Sequence, residues 1–167
     1  MQMKNLNLLP LVFSFYLKEF LNNYLQKNDK INHNDCKIDL KFKNDLLINN
    51  KKLSGILAES ISNGGKESVV IVGIGLNVNN TFKTNKDFSD LFISLHDKLD
   101  FDFNLEEVEE LLVKFLFTKI RNFCDSNDML CNSNFISEIN NNLVYIDQKV
   151  KIINKKGNNL IIINKFK

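Results

Sequence analysis

The chain has 167 residues, 44% of them apolar and 25% charged, which suits one globular domain with a buried core, or one domain with a small appendage. Its formal charge of +2 excludes association with nucleic acid or membrane driven by bulk electrostatics, and no apolar run reaches the roughly 18 residues of a transmembrane helix. The apolar stretch from Leu6 to Phe20 contains Lys18 and Glu19, and the chain's one alanine is Ala58. A signal peptide with a small-residue cleavage site is therefore not expected, and a cytoplasmic location is. Cys36, Cys124 and Cys131 lack a CxxC spacing and fit a reducing compartment. With only two histidines, His33 and His96, no zinc site is expected. Arg121 is the single arginine among 22 basic residues, so chemistry that needs paired arginines requires another chain.

In chain order, Val12, Phe13, Tyr16, Phe20 and Tyr24 recur at helical steps and predict a helix from Leu9 to Leu25, with Pro10 in its first turn. Residues 26–36 are polar and read as a loop. Ile38, Leu40 and Phe42 alternate with Lys37, Asp39 and Lys41, the pattern of a half-buried strand. Leu46–Ile48 is a short strand ending in Asn49-Asn50, a pair that tolerates positive φ. Leu53–Ile61 and Ser68–Leu76 are strands joined at Asn63-Gly64-Gly65, a hairpin signal.

A turn centred on Gly64 sets residue 55 opposite residue 73 and brings Gly55, Gly73 and Gly75 to one face. Three glycines leave a bare backbone strip, either for close approach of a ligand or for a bulge or packed helix. Asp87–Leu99 is expected to be helical, with Leu91, Phe92, Leu95 and Leu99 inward. Asn104 is the expected N-cap of a helix whose apolar stripe is Val108, Leu111, Leu112, Phe115, Leu116, Ile120 and Phe123, with Glu106 and Glu107 at its positive end. A short helix over Phe135–Asn142 follows. Strands over Val144–Ile153 and Leu160–Phe166 close the chain, joined at Lys155-Lys156-Gly157-Asn158. The lysines of this tail read as a soluble hairpin edge rather than a nucleic-acid patch.

Three segments carry polar or glycine residues where a packed sheet gains nothing from them. These are Lys41-Phe42-Lys43-Asn44-Asp45-Leu46, Lys51-Lys52-Leu53-Ser54-Gly55-Ile56-Leu57 and Gly73-Ile74-Gly75-Leu76-Asn77. An Asn-Asp pair between strands can hold Mg²⁺ on a nucleotide or can simply turn the chain. A lysine beside a bare strip can be solvated or can attract a carboxylate and a phosphate together. Gly73-Ile74-Gly75 lacks the third glycine and the following helix of a dinucleotide fingerprint. No P-loop and no Ser-His-Asp or Cys-His arrangement is present.

The three segments and their intervals resemble the biotin protein ligase catalytic domain, with its Lys-Trp-Pro-Asn-Asp, Lys-(Val/Leu)-x-Gly-Ile-Leu and Gly-(Ile/Ala)-Gly-Ile-Asn motifs. The resemblance implies an α+β fold, a mixed β-sheet with helices on one side as in class II synthetases. It implies a partial catalytic domain over residues 1–142 and a partial SH3-like β segment over 143–167. It implies activation of biotin with ATP and Mg²⁺ to biotinyl-5′-adenylate, then transfer to a lysine of a biotin carboxyl carrier protein. Lys52 then matches the catalytic lysine and Asp45 the metal side. Asn44, Gly55, Gly73, Gly75, Leu76 and Asn77 match positions that bind biotin and nucleotide.

Phe42 replaces the motif tryptophan and Lys43 the motif proline. The family's Gly-Arg-Gly-Arg-type loop and the strands before it have no counterpart, so a complementary N-terminal chain or a homodimer is the expected means of completing the site. No DNA-binding module is seen, and neither nucleic acid nor membrane is an expected partner. The alternatives are an inactive remnant or a small-acid- or protein-binding fragment, and a lipoate-type cofactor ligase.

Overall fold

Pro10 sits in the first turn of α1 (Leu9–Gln26), where its missing N–H costs no helical hydrogen bond. Leu9, Leu11, Val12, Tyr16, Leu17, Phe20, Leu21 and Leu25 are buried. Each such side chain contributes on the order of 1.5–3 kcal/mol by leaving water, which makes α1 the spine of the core. The computed structural model describes residues 8–29, 36–62, 68–125, 133–145, 149–154 and 157–162.

Strands β1 (Asp39–Lys41), β2 (Asp45–Ile48), β3 (Lys51–Ser62) and β4 (Ser68–Leu76) form an antiparallel ladder. The two-residue strand β5 (Leu143–Val144) joins it parallel to β1, so the sheet is mixed, in the order β4-β3-β2-β1-β5. The expected tail strand starting at Val144 is thus divided, and Val144 belongs to this sheet. Asn49 and Asn50 turn the chain between β2 and β3 with φ of 51° and 62°, a conformation that asparagine tolerates well.

One face of the sheet presents Leu40, Leu46, Ile48, Ser54 and Ile56 to the core, and Ala58, Val70, Val72, Ile74 and Leu76 pack partly against it. Helix α1 covers this face. The opposite face of the β3–β4 hairpin leaves Leu57 and Val69 more than 60% exposed and Ile61 and Ile71 more than half exposed.

The hairpin register differs from the expected one by two residues. Gly55 pairs with Gly75 and Leu57 with Gly73, and pairing runs out to Ser62 and Ser68. The Asn63-Gly64-Gly65 turn signal lies outside the described residues. A shift of two keeps the pleat parity, so Gly55, Gly73 and Gly75 still share one face.

The expected helix over Asp87–Leu99 is helical only in α2 (Leu95–Leu99). Ser94 supplies the reason: its Oγ accepts from Asp97 N at 2.9 Å, an N-cap that starts the helix late. Leu91 is exposed rather than inward. Phe92 meets Lys52 in an isolated parallel bridge, with Lys52 N donating to Leu91 O at 2.8 Å and Ile93 N to Lys52 O at 3.0 Å. These sheet-like bonds occupy the backbone that a longer helix would need.

In α3 (Leu105–Asp125), Asn104 caps as expected, its Oδ1 accepting from Glu106 N and Glu107 N. Val108, Leu116 and Phe123 are buried, but Leu111 is exposed, so the stripe is narrower than expected. Helix α4 (Ser133–Asn142) drives the Phe135 ring against Phe15, Tyr16 and Phe123. Lys119 of α3 pairs with Glu19 of α1 at 2.6 Å and lies over the Tyr16 and Phe115 rings. The architecture is α+β, a mixed five-stranded sheet with helices.

Strands β6 (Lys149–Asn154) and β7 (Gly157–Ile162) form a separate antiparallel pair. Lys155 and Lys156 of the expected turn lie outside the described residues, as do His33, Cys131 and residues 163–167. No described helix is long and apolar enough to cross a membrane.

Candidate functional site

The site begins with an irregularity between β2 and β3. Leu46 pairs with Ser54 but Leu47 pairs with Lys52, so Leu53 is an extra residue on β3. A regular strand places residues 52 and 55 on opposite faces. The bulge reverses that parity and turns Lys52 to the side of Gly55 and Asp45. Lys52 Nζ then reaches Asp45 Oδ1 at 2.7 Å, with the lysine side chain 39% exposed and the carboxylate 19%.

The pair lies directly over Gly55. A Cβ there would stand 2.8 Å from both Lys52 Cε and Nζ and 3.2 Å from Asp45 Oδ1. Gly55 is the residue that lets an ion pair rest on the strand backbone.

Asn44 is fixed from the other side. Its Nδ2 donates to Ile56 O at 2.8 Å and its carbonyl accepts from Ile56 N at 2.9 Å. Two hydrogen bonds to one β3 residue hold the turn that carries Asp45, although Lys43 stands where the motif has proline. The Phe42–Lys43 peptide bond is cis.

On β4, a Cβ added at Gly73 would meet nothing within 4 Å, and one at Gly75 would meet only Gly55 O at 3.7 Å. Gly73 therefore borders open space. Gly75 O accepts from Ser54 Oγ at 2.7 Å. Leu76 sits opposite Ser54, and its side chain packs partly against the core rather than into the cleft. Asn77 spends its amide donors on the backbone, with Nδ2 giving bonds to Lys52 O at 3.3 Å and Ile93 O at 3.2 Å. It braces the end of β4 against the bulge and the segment before α2, and it also borders the cleft.

These residues surround a cleft of about 600 Å³, lined by Asn44, Lys52, Gly55, Gly73, Gly75 and Asn77 and completed by Ser54, Ile56, Leu57, Ile74 and Phe92. Sequence reasoning missed Phe92 by placing it, with Leu91, Leu95 and Leu99, on the inner face of a helix. Ser54 carried no signal beyond its place between Leu53 and Gly55.

The cleft joins an ammonium, held from behind by the Asp45 carboxylate, to a bare backbone strip and an aromatic wall. That arrangement suits a ligand with an apolar body and an anionic end. As a metal donor Asp45 has little company: no group of three or more His, Cys, Asp or Glu suited to hold an ion occurs among the described residues. A cation delivered on phosphate oxygens fits such a single carboxylate, because Mg²⁺ commonly takes one or two carboxylates beside phosphates and water.

Residues 1–77 match the model of the biotin/lipoate A/B protein ligase family. A comparison with curated proteins gives no match. Among solved structures, biotin protein ligase from Aquifex aeolicus in complex with biotin and ATP has a TM-score of 0.70 at 25% identity, over 96% of this chain and 60% of that one. A crystal structure of the Aquifex aeolicus enzyme gives 0.72 at 26% identity, over 96% and 63%, and its apo form gives 0.71 at 25%. The chain thus spans about three-fifths of the length of these similar proteins. Sequence over the first 77 residues and fold over nearly the whole length agree in what they resemble, the biotin/lipoate A/B protein ligases.

Proposed function

We propose that the cleft binds biotin and ATP and serves adenylation of biotin, the first step of a biotin–protein ligase. The Lys52–Asp45 pair laid over Gly55, with Lys52 lining the cleft, is the observation that carries this reading. In that step a biotin carboxylate oxygen attacks the α-phosphorus of ATP. The bond to the β-phosphate breaks and pyrophosphate leaves. A lysine amine of a biotin carboxyl carrier protein then attacks the acyl carbon, AMP leaves, and the amine gives up a proton.

Lys52 is the proposed catalytic residue. Its ammonium faces the carboxylate and the reacting phosphate, where negative charge would otherwise repel. Asp45 holds Lys52 in place and is the proposed metal ligand; Mg²⁺, when bound there, neutralises phosphate charge. Asn44 sets the height of Asp45 above β3. Gly55, Gly73 and Gly75 let the ring system of biotin lie against the backbone. Leu76 and Asn77 close the end of the strip, Leu76 by its backbone and Asn77 by bracing the bulge. Phe92 is a wall for a flat group such as a nucleobase.

The chain spans about three-fifths of the similar enzymes' length, and turnover is proposed to require the rest of that fold. The competing reading is a fragment that binds a small acid without reacting, and it rests on the same three-fifths coverage. Calorimetric titration with biotin, then with lipoate in competition, tests the reading. Biotin binding that ATP strengthens and lipoate does not displace supports it. Preference for lipoate, or no binding of either acid, refutes it.

A further inference from the structure

We infer that Asp97 is a positioning residue, whose buried carboxylate ties residues 80–92 to α2 and so fixes Phe92 as the aromatic wall of the cleft. This deepens the proposed function and rests on it only for the identity of the ligand. Asp97 lies in the first turn of α2 and is 6% exposed. Its main-chain N–H is capped by Ser94 Oγ at 2.9 Å. In a reciprocal cap the acidic side chain returns to the N-cap residue; Asp97 Oδ2 instead accepts from Phe82 N at 2.8 Å, far along the preceding segment.

Ser94 adds a second tie to the same stretch, with Oγ donating to Asn80 O. At its other end the segment is joined to β3 through Leu91 O and Ile93 N, which both bond Lys52, and through Lys51 Nζ on Ser89 O. The Phe82 and Phe92 rings then meet at 5.8 Å. Asp97 also borders a cavity of about 220 Å³ with Lys51, Phe82, Lys83, Ser89, Phe92 and Ile93, and its Oδ1 has no hydrogen-bond partner among the described residues.

A side chain kept for packing alone has no reason to bury a carboxylate. The charge-assisted bond to Phe82 N, stronger than a neutral one, supplies that reason. Removing it frees the start of the segment while the Lys52 bonds hold its end. Phe92 then keeps its contact with Phe88 and loses the fixed one with Phe82.

Amide hydrogen exchange and calorimetric binding of ATP and of biotin are measured on the whole chain. Asp97→Ala is expected to speed exchange across residues 80–92 and to weaken ATP about tenfold, the scale of one lost charge-assisted hydrogen bond. Protection in α1 and β3 is expected to stay unchanged, and biotin affinity to stay within about twofold, since additivity holds for sites without shared partners. Asp97→Asn keeps an acceptor for Phe82 N and is expected to restore most of both.

Should Asp97→Ala fail to fold, Phe82→Pro, which deletes the N–H, is compared with Phe82→Ala, which keeps it; faster exchange with proline than with alanine supports the tie. Unchanged exchange in residues 80–92, equal losses for ATP and biotin, no rescue by Asp97→Asn, or no difference between the two Phe82 variants overturns the assignment. A wild-type chain that binds no ATP defeats the nucleotide reading of the cleft, and the exchange result still decides whether Asp97 is the anchor.

Discussion

Lys52 and Gly55 lie on the same face of β3 although three residues of sequence separate them, because Leu53 is bulged out of the pairing with β2. Without that extra residue the lysine would point among Leu46, Ser54 and Ile56, into the core, where an unpaired ammonium is costly. The bulge thus makes an ion pair beside an open cleft out of what would otherwise be a fault in the core.

Gly55→Ala tests this directly. The new methyl would sit 2.8 Å from Lys52 Cε and Nζ, and the flexible end of the lysine is what must give way. Affinity for biotin with ATP is expected to fall at least about tenfold while stability changes by no more than about 1 kcal/mol, since alanine suits a strand better than glycine does. Calorimetry beside urea unfolding reads both; unchanged affinity would show that the pair is not the ligand's contact.

Lys52→Ala is expected to abolish adenylate formation and leave the fold intact. The residue's structural work is done by its backbone, through bonds to Leu91, Ile93 and Asn77 that alanine retains. The side-chain ion pair is partly exposed and is worth no more than about 1 kcal/mol. A variant that unfolds, or one with full activity, contradicts the assignment.

Gly73→Val places a branched side chain where a Cβ meets nothing within 4 Å. Valine favours strands, so stability is expected to hold or rise. Biotin binding is expected to be lost because the cleft wall is filled. Unchanged biotin affinity would show that the glycine strip is not the pocket.

Asn77→Ala separates bracing from ligand contact. Its Nδ2 serves Lys52 O and Ile93 O, and leaving partly buried carbonyls unserved costs about 1–3 kcal/mol. A drop of that size in unfolding free energy is expected, together with weaker binding of biotin and ATP alike. Loss of ATP binding with full stability would mean direct contact instead.

Tyr16 gives the fold an alkaline limit. Burial, with Glu19 and Glu138 nearby, pushes its hydroxyl up to about 12 from 10.0. The folded chain therefore holds this proton more tightly than the unfolded one. The resulting stability is full below pH 10 and declines as pH rises from 10 to about 12. Thermal unfolding is expected to show that decline, and Tyr16→Phe is expected to reduce it. An identical decline in the variant would place the alkaline sensitivity elsewhere.

The elements with strong periodicity were legible in the chain itself. α1, β4 and α3 follow from apolar spacing and from caps such as Asn104, and the glycine strip follows from pleat parity, which survived a two-residue error in hairpin register. Other features were not legible, for physical reasons. The bulge at Leu53 has no local signature: Lys51-Lys52 reads as the turn before a strand that begins at Leu53, whereas both lysines belong to β3, so the role of Lys52 rests on the family resemblance. The helical steps of Leu91, Phe92, Leu95 and Leu99 predict a helix core for Phe92; Ser94, the N-cap, and the bridge to Lys52 override that periodicity. Leu76 enters the site only through the family resemblance; the alternation that groups Gly55, Gly73 and Gly75 already puts it on the opposite face, where it packs partly against the core.

Biotin-dependent exchange of labelled pyrophosphate into ATP, with Mg²⁺ and the purified chain, tests the central claim most directly, with Lys52→Ala measured beside it. The account predicts exchange that depends on biotin and on Lys52, from the chain alone or once the remaining part of the ligase fold is added. No exchange under either condition, or exchange that survives Lys52→Ala, would contradict it.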